Sequence, residues 1–324
     1  MTSNTMYFMP VFSRPFIADA DRGLLAVFAL SVRLCVVGPF PDAVSFRNTS
    51  KSTSLLISQI GGGPMERMSL EFAGKVAVLK FNHPQVMNAV GRQMLADFSE
   101  ALGEIKNPSN GARCLLLTGE GRGFCAGANL QDDDTSERRG GAGDGLRGTY
   151  HPILLSLRDL EMPMVTAVNG AAAGVGMSFA IMGDIVCASK AAFFLQAFAR
   201  IGLIPDGGST YMLPRLVGWG RAMELSMLAE RLPAEQAHEW GLVNRVYDDT
   251  DALMDGAMGI AKRLADGPKS LALIRQAYWN TWHNAFEQQL DLEARLQNQA
   301  GSSEDFGEGV SAFLEKRDAR FKGQ

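Results

Sequence analysis

Two strand-like runs in this chain end in the same way, and that repetition constrains the fold more than any other feature. Cys114-Leu115-Leu116-Leu117-Thr118 stops at Gly119 and turns through Gly121 and Gly123 into RGFCAGANL, Arg122 to Leu130. Met164-Val165-Thr166-Ala167-Val168 runs into NGAAAGVG, Asn169 to Gly176. Strand, glycine turn and helix in succession are the building unit of an α/β protein. The pattern predicts one helix from near Ala128 and another within Gly174 to Gly183. The first N–H groups of a helix have no partner inside it and carry partial positive charge. Two such turns supply two donors, enough to hold an oxygen that becomes negative during a reaction. That arrangement points toward thioester chemistry.

The rest of the chain from Met68 is consistent with an α/β body. Lys75 to Phe81 reads as a β-branched strand stopped at Asn82-His83-Pro84. Asn88 reads as an N-cap, and Met94, Phe98, Leu102 and Ile105 recur at helical spacing through Lys106. With Ala112 to Thr118 following, strand, helix and strand imply parallel pairing across a crossover. Gln131 to Gly145 (QDDDTSERRGGAGDG) is polar and aperiodic, expected as a mobile loop beside the site or a solvated surface loop. Leu146 to Leu160 is expected as one helix, Asp184 to Ala188, Ala192 to Leu195 and Leu242 to Val246 as strands, and 219–230 and 233–240 as short helices. Asp251 to Phe321 is mostly helical, with Leu271, Ile274 and Tyr278 on an apolar face that must pack on the body or on a neighbouring subunit.

Composition narrows the function. With a net charge of −4 there is no basic footprint for nucleic acid. Cys35, Cys114, Cys125 and Cys187 form no CxxC pair, which suggests neither zinc nor a disulfide framework and fits a reducing, cytoplasmic setting. Cys125 has no histidine close behind it to activate it and reads as packing. His83, His151, His238 and His283 have no second ligand at metal spacing, so no metal site is expected. Met177, Met182 and Met212 read as core; Tyr211 and Phe194 as core or acyl-pocket wall.

Residues 1–65 differ from the remainder. The apolar run Leu24 to Val37 is broken by Arg33 and is short for a membrane span, so no membrane partner is expected. Asp19 and Asp21 precede it where a secretory signal would be basic. The segment is expected to be an atypical extension bounded by Gly61-Gly62-Gly63-Pro64, with a core at 66–262 and a helical region at 263–324. One further carboxylate stands out. Asp206 lies between Pro205 and Gly207-Gly208, ahead of a predicted helix through Leu213, where it is either an N-cap or a catalytic group on a rigid turn.

RGFCAGANL (122–130), AVNGAAAGVGMSFAIMGDIV (167–186) and GLIPDGGSTYMLPRLVG (202–218), in this order and spacing, resemble the crotonase superfamily of enoyl-CoA hydratases and isomerases. The resemblance spans roughly Ser69 to Lys322. It implies a spiral of ββα units with a C-terminal helical trimerisation region, a homotrimer or hexamer, and an acyl-CoA thioester substrate whose coenzyme A is no separate cofactor. By the same resemblance the N–H groups of Ala128 and Val175 hold the thioester oxygen. Ala126, Gly127, Asn129, Gly174, Ser178 and Phe198 then line the substrate. Val175 stands where the second turn commonly has glycine.

Hydratases of this family use two glutamates, and aligned on the motifs these fall at Ser178 and Phe198. A hydroxyl and a phenyl ring cannot act as an acid–base pair near neutrality. Asp206 matches the acidic residue that isomerases of the family place at this turn, and one carboxylate suffices to take a proton from one carbon and return it to another. AEQAHEWGLV (234–243) and LDLEARLQ (from 290) extend the likeness to isomerases of the phenylacetate pathway, with Asn129 replacing the usual Asp and Gln131 a common Lys. An acyl-CoA isomerase is therefore the leading expectation. A hydratase or thioesterase is the second, and a non-catalytic acyl-CoA binder the third.

Overall fold

The computed structural model describes residues 65–131 and 142–324. Among the described residues ten strands form two sheets. The larger contains β1 (Met68–Ala73), β2 (Val76–Phe81), β3 (Cys114–Gly119), β5 (Met164–Val168), β7 (Ile185–Ser189) and β10 (Arg245–Tyr247), neighbours in that order. The smaller contains β4 (Gly123–Cys125), β6 (Ala171–Ala173), β8 (Phe193–Leu195) and β9 (Leu232–Pro233). Within the larger sheet β1 and β2 are antiparallel and every other pairing is parallel. The chain gives β3, β5 and β7 to one sheet and then, a few residues on, β4, β6 and β8 to the other. This stepwise repetition is the expected spiral, and it stacks successive strand-end turns side by side.

Alternation along the parallel strands explains the two-sided burial. Ala77, Leu79, Phe81, Leu115 and Leu117 face the main core, where the rings of Phe81, Phe98, Phe124 and Phe179 meet with centroids 5.3–5.8 Å apart. Val76, Val78, Cys114, Leu116, Val165, Ala167 and Cys187 face the other way, onto Leu253, Ala257, Ala261 and Ala265. Cys114, Cys125 and Cys187 are all buried, as are Met177, Met182, Met212 and Phe194, so these residues are core.

The helices are α1 (Arg92–Lys106), α2 (Ala142–Gly145), α3 (His151–Arg158), α4 (Val175–Ala180), α5 (Ser209–Leu216), α6 (Trp219–Leu228), α7 (Ala234–Glu239), α8 (Thr250–Ala265), α9 (Ser270–Thr281), α10 (Phe286–Gly301) and α11 (Glu304–Glu315). Several differ from expectation. Residues 142–145, expected in a loop, are helical, and a π-turn at Leu146–Tyr150 precedes α3. Residues 132–141 of that expected loop, like the extension 1–64 and Cys35, lie outside the described residues. α1 starts at Arg92 with Gly91 as its cap. Asn88 is therefore no N-cap. It adopts φ +57° in the turn before the helix, and its side chain is used elsewhere. On α9, Ile274 and Tyr278 remain exposed in the single chain. Among the described residues no helix is long and apolar enough to cross a membrane.

Candidate active site

The first turn leaves β4 and crosses the residues that precede α1. Ala126 N–H donates to the Met87 carbonyl at 3.0 Å, Val90 N–H to the Gly127 carbonyl at 2.7 Å, and Asn129 N–H to the Val90 carbonyl at 2.9 Å. The main chain on both sides of Ala128 is thereby pinned, while the Ala128 N–H donates to no main-chain carbonyl among the described residues. No helix begins at Ala128. The residue makes an isolated parallel bridge with Val90, and a turn follows at Leu130–Gln131. The expectation that a helix N-terminus presents this N–H is corrected: a braced loop after a short strand presents it. Asn129 Oδ1 accepts from Gln131 N–H at 3.1 Å and tightens the following turn.

Two buried carboxamides, Asn88 that the sequence suggested as an N-cap and Asn169 that it gave no role, brace this turn. Asn88 Nδ2 donates to the carbonyls of Glu120, Gly123 and Phe124 at 3.0, 2.8 and 3.2 Å, and Asn88 Oδ1 accepts from His83 N–H at 2.8 Å. Asn169 Nδ2 donates to the Gly121 carbonyl at 2.8 Å. The signal available for both was an asparagine beside a strand end, a residue type that tolerates left-handed backbone and seeks carbonyl partners.

The second turn joins β6 to α4. Gly174, with φ +53° and ψ −129°, directly precedes the helix, and Val175 is its first residue, whose N–H therefore has no intrahelical partner. The two turns touch. A Cβ built on Gly127, whose φ is +102°, would lie 2.9 Å from the Ala173 carbonyl oxygen and 3.7 Å from Gly174 Cα. Only glycine permits this approach. At Gly174 the equivalent atom would lie 3.8 Å from Cζ of Phe198, which places the buried Phe198 ring against the same spot.

The third element is the Asp206 turn. A Cβ on Gly207 would meet Ser178 Cβ at 2.7 Å and Val175 Cγ2 at 3.3 Å, so the residue after Asp206 rests on the first turn of α4. Asp206 does not cap α5. The cap residue is Gly208, and no side chain caps that helix. Oδ1 of Asp206 is buried and has no hydrogen-bond partner, and burial pushes its carboxyl up to about 6. Cys125, directly behind the first turn, is buried with its thiol pushed up to about 12, which suits packing and not nucleophilic work. Gly127, Gly174, Val175, Ser178, Phe198 and the Asp206 turn are thus contiguous, with Ala126, Ala128 and Asn129 on the same loop.

Tyr211 lies apart from that group. It stacks with His283 and donates to or accepts from its Nε2 at 2.9 Å. A cavity of about 990 Å³ is elsewhere too. It lies by the N-terminal ends of β3 and β5, walled by Lys106, Arg113, Arg158, Lys269 and Trp279, and none of the predicted site residues lines it. Among the described residues no group of three or more potential metal ligands is found.

The profile of the enoyl-CoA hydratase/isomerase family matches residues 71–324. The chain belongs to that family. A 1,2-epoxyphenylacetyl-CoA isomerase of Escherichia coli is 44% identical over 252 residues, 77% of this chain and 95% of the relative. A probable enoyl-CoA hydratase of Rhodobacter capsulatus is 41% identical, covering 78% of this chain and 97% of the relative. Among solved structures, an enoyl-CoA hydratase from Polaromonas superposes with a TM-score of 0.73 at 33% identity, over 79% of this chain and 99% of that one. Fold and family are those of the crotonases, and the activity is of the acyl-CoA hydratase/isomerase kind.

Proposed function

We propose that this enzyme is an acyl-CoA isomerase in which the Ala128 and Val175 N–H groups hold the thioester oxygen and Asp206 moves the proton. The observation that carries the reading is the pairing of a half-buried Asp206, whose Oδ1 is buried and unpartnered, with the absence of acid at Ser178 and Phe198. Ionising a carbon beside a thioester moves charge onto its oxygen, and each aligned donor is worth about 2.7–4 kcal/mol there. With a 3-enoyl thioester, Asp206 removes a proton from C2 and returns it at C4, and the double bond moves into conjugation. No water enters, so no second carboxylate is needed. The E. coli relative's name supports a 1,2-epoxyphenylacetyl thioester as the substrate class, with simple enoyl thioesters beside it. A homotrimer or hexamer completes the reading, since α10 and α11 expose Phe286, Phe313 and Leu314.

The test is turnover of trans-3-hexenoyl-CoA and 1,2-epoxyphenylacetyl-CoA by the wild type and Asp206→Asn. A loss of roughly 10²–10⁴-fold in the variant is expected for a removed acid–base group. Unchanged turnover ends the reading. The name of the R. capsulatus relative keeps hydration as the second reading, and fast hydration of crotonyl-CoA would establish it.

A further inference from the structure

Behind Asp206 lies a set of buried polar side chains that the proton transfer itself does not use. Gln196 follows β8, Ser178 lies in α4 and Ser209 opens α5; all three are fully buried. Gln196 Nε2 donates to Ser209 Oγ at 3.1 Å and to Met177 Sδ at 3.2 Å. Ser209 Oγ and Ser178 Oγ are 2.7 Å apart. Ser178 Oγ donates to the main-chain carbonyl of Asp206 at 3.0 Å, which also accepts from Ser209 N–H at 3.1 Å.

With the Gln196 amide oriented as it is and every one of these contacts hydrogen-bonded, the hydrogens in this set have one assignment. A carbonyl only accepts, so the single Ser178 hydroxyl hydrogen goes to Asp206. Ser178 must then accept in its contact with Ser209, whose hydroxyl hydrogen is spent there. Ser209 in turn accepts from the Gln196 amide. Reversing that amide would draw the Ser209 hydrogen toward Gln196, turn the Ser178 hydrogen into the 2.7 Å contact and leave the Asp206 carbonyl with the Ser209 N–H alone. In the orientation found here the chain runs one way, from Gln196 through Ser209 and Ser178 to Asp206, with each bond polarising the next.

Its end point is informative. Both lone pairs of the Asp206 carbonyl are occupied, so the peptide plane carrying the residue is fixed, while Oδ1 of the same residue has no partner at all. A bond to the carboxylate itself would stabilise its charged form and weaken it as a base. Gripping the main chain supplies position without that cost.

We infer that Gln196, Ser209 and Ser178 are positioning residues for Asp206, a directed hydrogen-bond chain that aims the carboxylate while leaving it unbonded. This rests on Asp206 being the acid–base group, and the test separates the two ideas. The full-length chain and its Ser178→Ala, Ser178→Cys, Ser209→Ala, Asp206→Asn and Asp206→Asn/Ser178→Ala variants are assayed with trans-3-hexenoyl-CoA. Because a displacement near 1 Å is felt strongly in proton transfer, Ser178→Ala and Ser209→Ala each lower kcat roughly tenfold or more with KM nearly unchanged. Ser178→Cys keeps the shape but offers only a weak donor, and it falls with Ala. In the Asp206→Asn background Ser178→Ala adds no further loss, since its effect passes through the missing carboxylate. A wild-type kcat in folded Ser178→Ala and Ser209→Ala, or a full further loss in the double variant, overturns the positioning role. An unaffected Asp206→Asn overturns the acid–base reading instead. If Ser178→Ala does not fold, Ser178→Cys and Ser209→Ala carry the same comparison.

Discussion

The guanidinium of Arg275, on α9, binds the Asp184 carboxylate through Nε, at 2.9 Å to one oxygen and 2.8 Å to the other. Arg275 also donates to the carbonyls of Leu157, Arg158 and Leu160 at the end of α3, and Asp184 accepts from Met164 N–H. One side chain thus ties the helical tail to the strand starts of the body. Burial pushes the Asp184 carboxyl up even with its partner present, with Arg275 opposing the shift. Arg275→Ala leaves that acid uncompensated and should cost about 3–5 kcal/mol in urea unfolding. Asp184→Asn/Arg275→Met should recover a large part. A cost below about 1 kcal/mol for Arg275→Ala would show that the tail is held by other contacts.

Gly176 fixes the distance between the two turns. A Cβ there would sit 2.1 Å from the Cys125 carbonyl oxygen and 2.9 Å from Cys125 Cβ, neither of which is a flexible tip. Gly176→Ala must push β4 and α4 apart, and should cost about 1–3 kcal/mol and most of the turnover. Gly103, on the exposed face of α1 with open space around it, is the control. There Ala should stabilise by about 0.5–1 kcal/mol and leave turnover alone. Thermal melts and kcat of the two variants decide it.

The contrast between those glycines shows what the sequence made legible. Strands of five or six apolar residues, such as Cys114–Gly119 and Met164–Val168, announce themselves through composition and flanking breakers, and both glycine turns were visible for the same reason. β4 and β6 were not, because their three residues sit inside the glycine-rich turns, where a strand that short shows no period of its own. Ala128 misled for a physical reason. A glycine turn after a strand favours a helix, but here Val90 takes up the main chain on both sides of it and holds it as a bridge. Asn88, Asn169, Gln196 and Ser209 stayed hidden because their partners lie up to 48 residues away, on separate elements. Asp206 was ambiguous between cap and acid on its neighbours alone, the family resemblance favoured the acid, and the geometry removes the cap.

The proposed trimer or hexamer makes a prediction at the tail. Phe313 is 83% exposed and Phe286 and Leu314 are each 73% exposed in the single chain, and packing against a second copy would take these large apolar side chains out of water. Light scattering should give three or six protomer masses. Phe313→Asp, which touches nothing inside the protomer's core, should lower that mass without lowering helicity. A wild-type mass of one protomer would remove the trimer and hexamer together.

Burial of Asp206 also has a stability signature, whatever its role in turnover. Its folded carboxyl titrates at about 6, above the unfolded value, so the folded form binds the proton more tightly. Below the unfolded value both states are protonated and the residue contributes nothing unfavourable. As pH rises through the folded value the buried charge appears, and stability is lost. Asp206→Asn should therefore stabilise by about 1 kcal/mol at pH 7.5, after discounting for partial exposure, and by nothing near pH 3. Denaturant midpoints at the two pH values measure the difference, and a variant that is less stable at pH 7.5 would mean that the carboxylate has a partner when ionised.

The same titration sets the pH limit of catalysis. A base must be ionised to take a proton, so kcat/KM should be flat above the Asp206 midpoint and fall tenfold per pH unit below it, with the break at about 6. An ordinary exposed aspartate would place that break near 3.9. Since the shift comes from desolvation and not from a neighbouring charge, raising the ionic strength should leave the break where it is. Asp206→Glu, which keeps the acid but moves it by one methylene, should retain a break at low pH with a lower plateau. Asp206→Asn should show residual turnover with no break at all. A wild-type profile flat down to pH 4 would place the proton transfer on some other group and leave Asp206 a structural residue.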